Sequence, residues 1–126
     1  MSESARNLME SLPSNEDAKA VLEAVDKLNG ILSDLNDSSE RALSIAMFAT
    51  HFNQSIYTIR DYAAVMPPAS TTAEGSLILE KIGVAKRNLD KLDETLLNFS
   101  SGADQPAVES IQNLKRDAVA ILEGIK

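Results

Sequence analysis

Apolar residues return every three or four positions through most of this chain. The stretch from Ala42 to Ile59, ALSIAMFATHFNQSIYTI, shows the pattern most plainly. Ala42, Ile45, Ala49, Phe52, Ile56 and Ile59 fall on one helical stripe, and the stretch contains no Asp, Glu, Lys or Arg. The stripe continues to Ala63 and Met66, which predicts a helix over 38–66 with Ser38 as its cap and Pro67-Pro68 as its stop. A surface helix ordinarily opposes its apolar stripe with charge. Here the back holds Leu43, Met47, Phe48, Tyr57 and Tyr62 among Ser44, Thr50, His51, Gln54 and Ser55. That places the helix at the centre of a bundle, covered on more than one side. It is too polar to span a membrane, which takes roughly 20 predominantly apolar residues.

The flanking segments keep the same period. Ala18, Val21, Val25, Leu28, Leu32 and Leu35 predict a helix that begins at Ser14, where Ser14 and Asp17 form a short-chain version of the capping box, and closes at Asn36-Asp37. Ile78, Ile82, Ala85, Leu89, Leu92, Leu96 and Phe99 predict a third long helix, opened by the capping-box sequence Thr71-Thr72-Ala73-Glu74. Gly75 falls in its first turn. Gly83 falls in its interior, where glycine is unfavourable by roughly 1 kcal/mol, and is expected to mark close approach by a neighbouring helix. After a turn at Ser100 to Ala103, Asp104 caps a last helix with Pro106 in its first turn. Its stripe is Ala107, Ile111, Leu114, Ala118, Ile121 and Ile125. Ahead of all these, Ala5, Leu8, Met9 and Leu12 outline a short helix that ends at Pro13. About two and a half turns are marginal alone, so this helix must dock or fray. The prediction is an all-α single domain over 1–126: an antiparallel up-down-up-down four-helix bundle with an additional short N-terminal helix in 1–13.

Composition narrows the functional classes. Three Phe, two Tyr and no Trp suit a helical core better than a sandwich or barrel. The absence of cysteine excludes disulfides, thiol chemistry and Cys-bearing zinc sites. The first residues, MSESARNLMESLPSNED, show neither a basic nor an apolar signal region, so the expected compartment is the cytoplasm. The net charge is −7, with twelve cations scattered among nineteen acids. Direct nucleic-acid binding needs clustered Lys and Arg and is not expected.

Chemistry has few places to reside. A carboxylate-bridged metal site in a bundle needs Glu-x-x-His on two helices, but there is one histidine, and Phe48 stands three residues before it. A zinc site with several histidines is equally excluded. Gly30, Gly75, Gly83, Gly102 and Gly124 are isolated, so no phosphate-cradling loop is present, and His51 has no flanking G-x-S-x-G turn. No catalytic residue, metal or cofactor is expected, and the chain does not read as an enzyme.

His51 lies midway along the central predicted helix, roughly opposite the Ala49, Phe52 and Ile56 stripe. A lone histidine at that place in an acidic four-helix bundle of this size resembles the histidine phosphotransfer domains. The resemblance implies that its imidazole accepts phosphate from a response-regulator aspartate. It covers the architecture and that one residue. The family carries Lys three residues after the histidine and Gly four after it, where this chain has Gln54 and Ser55.

The charge distribution gives the leading reading. Between Arg41 and Glu74 only Arg60 and Asp61 are charged. An apolar and neutral-polar patch with Met and aromatic residues is typical of protein interfaces. The expectation is a non-catalytic interaction module, a small regulatory, inhibitor or adaptor protein. It would bind a protein partner or a second copy of itself through Leu43, Met47, Phe48, His51, Tyr57 and Tyr62. The competing readings are phosphotransfer through His51 and an acidic nucleic-acid mimic that binds a basic protein. The mimic requires acids such as Asp17, Glu23, Asp90, Asp93 and Glu94 to share one face.

Overall fold

The computed structural model describes residues 12–37, 45–97 and 105–126. They form four α-helices: α1 (Glu16–Asp37), α2 (Ile45–Ala63), α3 (Ala73–Leu96) and α4 (Gln105–Glu123). A single 3-10 turn, Ala69–Thr71, lies between α2 and α3. The described residues contain no strand. The expected N-terminal helix, the Ser38 cap, Leu43, Phe99 and the Asp104 cap lie outside them.

The stripes fold as their period requires. All six stripe residues of α1 are buried, joined by Ala24 and Ile31, and so are Ile78, Ile82, Ala85, Leu89, Leu92 and Leu96 of α3. In α4 the buried set is Val108, Ile111, Leu114, Ala118 and Leu122. Ala107 and Ile121 are only half buried, because the core reaches one residue further round the helix than the narrow stripe suggests. In α2 the buried arc likewise widens to take in Phe48 and Ser55 beside Ile45, Phe52, Ile56 and Ile59. Residues from all four helices form one apolar cluster.

The direction of the helices follows from reach and from hydrogen bonds. The seven residues linking α1 to α2 can span at most about 28 Å. A helix of α1's length runs about 33 Å. That link is too short to carry the chain back along the whole of α1. The largest contact between described elements joins α1 to α3. These two helices run parallel. Asn29 Nδ2 donates to the Lys81 carbonyl at 3.2 Å, and Asn88 Nδ2 donates to Asn29 Oδ1 at 3.3 Å. One heptad on, Asn36 Nδ2 donates to the Asn88 carbonyl at 2.9 Å, and the Thr95 hydroxyl donates to Asn36 Oδ1 at 2.6 Å. The partners differ by 52 or 59 positions at each step, so both helices advance together. Residues seven apart return to nearly the same face, drifting by about 20° per heptad, which keeps this polar ladder along one seam. Helix α2 contacts α1 and α4, while α2 and α3, consecutive in sequence, barely touch.

The ladder begins with a cap shared between the two helices. Asn15, not Ser14, caps α1: its Oδ1 accepts from the amides of Asp17 and Ala18 at 2.9 and 3.2 Å. In a capping box the third helical residue would reach back to the cap's own amide. That residue is Ala18, and Glu74 of α3 takes its place, accepting from the Asn15 amide at 3.1 Å. Thr72 rather than Thr71 caps α3, accepting from the Gly75 amide at 2.9 Å. The Ala73 amide donates to the Pro13 carbonyl, closing the same corner.

Gly75 lies in the first turn of α3 as expected, but it, and not Gly83, is where the chain makes a close approach. No heavy atom lies within 4 Å of where a Cβ would stand on Gly83, so no neighbour approaches closely there. A Cβ on Gly75 would stand 1.9 Å from the Ala69 carbonyl oxygen, so the 3-10 turn packs directly on the first turn of α3.

Burial works against the charged form of Glu74. The amides of Asn15 and of Glu74 itself, the Ser14 hydroxyl and the Lys19 charge outweigh it and hold the carboxyl below the usual carboxylate range. A group with a lowered folded-state pKa adds stability above its unfolded pKa and loses it as pH falls through the folded one. Glu74→Gln should therefore lower stability at neutral pH by about 1 kcal/mol. The loss should shrink as wild type is acidified below the usual carboxylate range. Urea unfolding of both proteins from pH 7 to pH 3, about the span over which a carboxylate titrates, measures it.

Candidate functional site

Helix α2 differs from the other three in what it presents to solvent. From Ile45 to Ile59 it carries no charged residue. The exposed positions of α1 include Lys19, Glu23, Asp26 and Lys27, those of α3 include Glu80, Arg87, Asp90 and Glu94, and those of α4 include Glu109, Arg116 and Asp117.

The structure divides the expected partner-binding residues. Met47, His51, Gln54, Thr58 and Tyr62 step by four, three, four and four, which puts them on one face of α2. Met47 is 52% exposed and Tyr62 43%, and His51 is half buried. Gln54, Thr58 and Tyr62 form one wall of a groove of about 480 Å³ whose other wall is Ala20, Glu23, Ala24 and Lys27 of α1. Two alanines one turn apart leave this seam shallow and open. Tyr57 sits about 100° round the helix from the centre of that face. It is half buried against the core, and the Arg60 guanidinium lies 4.6 Å above its ring centre.

Phe48 is not available to a partner. It is fully buried and packs against Phe52 with ring centres 5.4 Å apart. An alternation of three and four allows two adjacent stripes on α2, and the sequence favoured the one through Ala49. The larger side chain takes the core, because burying a phenyl ring removes far more apolar surface from water than burying a methyl.

Ser55 is a feature the sequence reading did not single out. Its side chain lines the base of the groove, the residue is 4% exposed, and its hydroxyl has no hydrogen-bond partner among the described residues. A serine between Gln54 and Ile56 gives no sign of this in the sequence. Only the widened buried arc of α2 places it inside.

Among the described residues no three His, Asp or Glu side chains are grouped as a metal site requires. No helix among them is long and apolar enough to cross a membrane. Of the acids named above, Glu23 borders the α1–α2 groove, and Asp93 Oδ2 accepts from Lys115 Nζ of α4 at 2.6 Å. Of the two residues that follow His51 by three and four, Gln54 lies on the groove wall and Ser55 beneath it. Compared with protein-family models, curated proteins and solved structures, the chain matches none.

A buried hydroxyl without a partner costs about 1–3 kcal/mol relative to a satisfied one. Ser55→Ala removes it and leaves the alanine-lined seam otherwise intact. The variant should be more stable than wild type by about 1 kcal/mol, read as a higher urea midpoint at unchanged slope. A lower midpoint would show that the hydroxyl is satisfied in solution.

Proposed function

We propose that this chain is a four-helix bundle with ring order α1, α2, α4, α3, and that it works as a non-catalytic protein-interaction module. The uncharged outward face of α2 is its binding surface. One observation supports this above the others: charge is absent from the exposed positions of α2 over 45–59 and present on those of every neighbour. Charge on a helix surface favours solvation and discourages association, and its depletion around a Met and aromatic centre is the compositional mark of an interface core. Met47 and Tyr62 anchor the surface, with His51, Gln54 and Thr58 between them offering neutral hydrogen-bonding groups. Tyr57, on the adjacent side under Arg60, borders it.

The partner is a protein with a complementary neutral patch, a second copy of this chain included. Light scattering coupled to size exclusion, over a concentration series of wild type and Met47→Glu, separates the cases. Self-association appears as a mass that rises with concentration in wild type and not in the variant. If wild type stays monomeric throughout, cross-linked capture with both proteins reads the heterologous case, in which Met47→Glu loses the wild-type partner. A carboxylate forced into an interface core should weaken binding by at least roughly tenfold. A folded Met47→Glu with unchanged mass and unchanged capture removes the proposal.

A further inference from the structure

We propose that the Asn29-Gly30 bond is a modification site: a deamidation centre that the α1–α3 seam holds closed and that breaks the seam once it reacts. Asn29-Gly30 is the one Asn-Gly pair in a chain of eight asparagines. Glycine is the residue that least obstructs attack of its own backbone nitrogen on the preceding side chain, having no Cβ. In the reaction the Gly30 nitrogen loses its proton and attacks Cγ of Asn29. The C–Nδ2 bond breaks, Nδ2 departs as ammonia, and a five-membered imide forms. Water then opens the imide at either carbonyl, giving aspartate or its β-linked isomer. The sum is asparagine plus water to aspartate or isoaspartate plus ammonia, with no change of oxidation state.

Three features of the fold bear on this chemistry. Asn29 sits inside α1, where the Gly30 amide is committed to the helical ladder and the Asn29 ψ angle is held near the helical value, turned away from the attack geometry. The side chain is pinned at both ends, Nδ2 to the Lys81 carbonyl and Oδ1 to the Asn88 amide. The packing gives no reason for glycine at this place: a Cβ on Gly30 would meet no heavy atom within 4 Å, and glycine in a helix interior is unfavourable. The dipeptide is thus protected by folding and exposed by local opening of α1.

The product cannot rebuild the seam. An aspartate at 29 has no Nδ2 to donate, and its carboxylate oxygen would face the Lys81 carbonyl. The β-linked isomer also adds a methylene to the backbone of α1, which interrupts its ladder of amide bonds. Opening permits reaction, and reaction favours opening.

The test incubates wild type, folded and in urea, at mildly alkaline pH, and follows each asparagine by peptide mapping. In urea Asn29 should convert ahead of the other seven asparagines. In the folded protein its rate should fall by at least roughly tenfold, as for any reaction that needs local unfolding. Gly30→Ala should suppress conversion in urea while keeping the fold. Asn29→Asp should lower the urea midpoint, whereas Asn113→Asp, at an exposed position of α4, should not. Equal rates folded and unfolded, another asparagine reacting first in urea, or an unchanged midpoint in Asn29→Asp would each overturn the proposal.

Discussion

The hydrogen bonds between α1 and α3 set the direction and register of two helices that are not neighbours in sequence. Apolar stripes alone would allow α3 to slide or reverse against α1, since an aliphatic ridge fits many grooves about equally well. A half-buried amide does not allow it, because leaving its donor unmade costs about as much as several methylenes of burial contribute. Asn29, Asn36, Asn88 and Thr95 satisfy one another only when both helices run the same way at this offset. The Asp26–Lys81 ion pair beside them is exposed at both ends and adds little by comparison. Glu74 closes the seam at its N-terminal end, completing the cap of α1 by accepting from the Asn15 amide.

The remaining helices pack beside the α1–α3 pair: α2 contacts α1 and α4, and α4 contacts α2 and α3. The Ala69 amide bonds the Lys126 carbonyl at 2.8 Å, tying the end of α4 to the turn that follows α2. The polar side chains that specify the fold are thereby concentrated between α1 and α3. Helix α2 contributes Phe48, Phe52, Ile56 and Ile59 to the core and presents a neutral surface outward. The division of labour is physical. One seam spends its amides on register, and the helix free of that duty carries the patch proposed to bind.

Much of this architecture was legible in the sequence. The α1 and α3 stripes are buried residue for residue through Leu35 and Leu96, because a 3.6-residue period leaves little choice of inward face. Pairing was not legible. Asn29 and Asn88 read as ordinary polar positions beside a stripe, and their meaning appears only when the two are placed opposite each other. The cap at Asn15 was hidden for the same reason, since its second half comes from Glu74, far along the chain. The two glycines show the limit from another side: only the path of the 3-10 turn distinguishes Gly75, under the Ala69 carbonyl, from Gly83, beside open space. At the candidate surface the lack of charge was evident from the sequence. The burial of Phe48 and Ser55 depended on how wide an arc the neighbouring helices cover.

The parallel pairing of α1 and α3 is the central claim, and a distance measurement tests it most directly. The chain has no cysteine, so paired cysteines for spin labels can be introduced at exposed positions without background. Glu23 on α1 and Glu80 on α3 are one such pair, and Asp34 with Glu80 is the other. Parallel helices in this register put Glu23 close to Glu80 and Asp34 well beyond it, by the rise of the residues between them. The reverse order, with Asp34 nearer to Glu80 than Glu23 is, would mean that α3 runs antiparallel to α1 and would contradict the account.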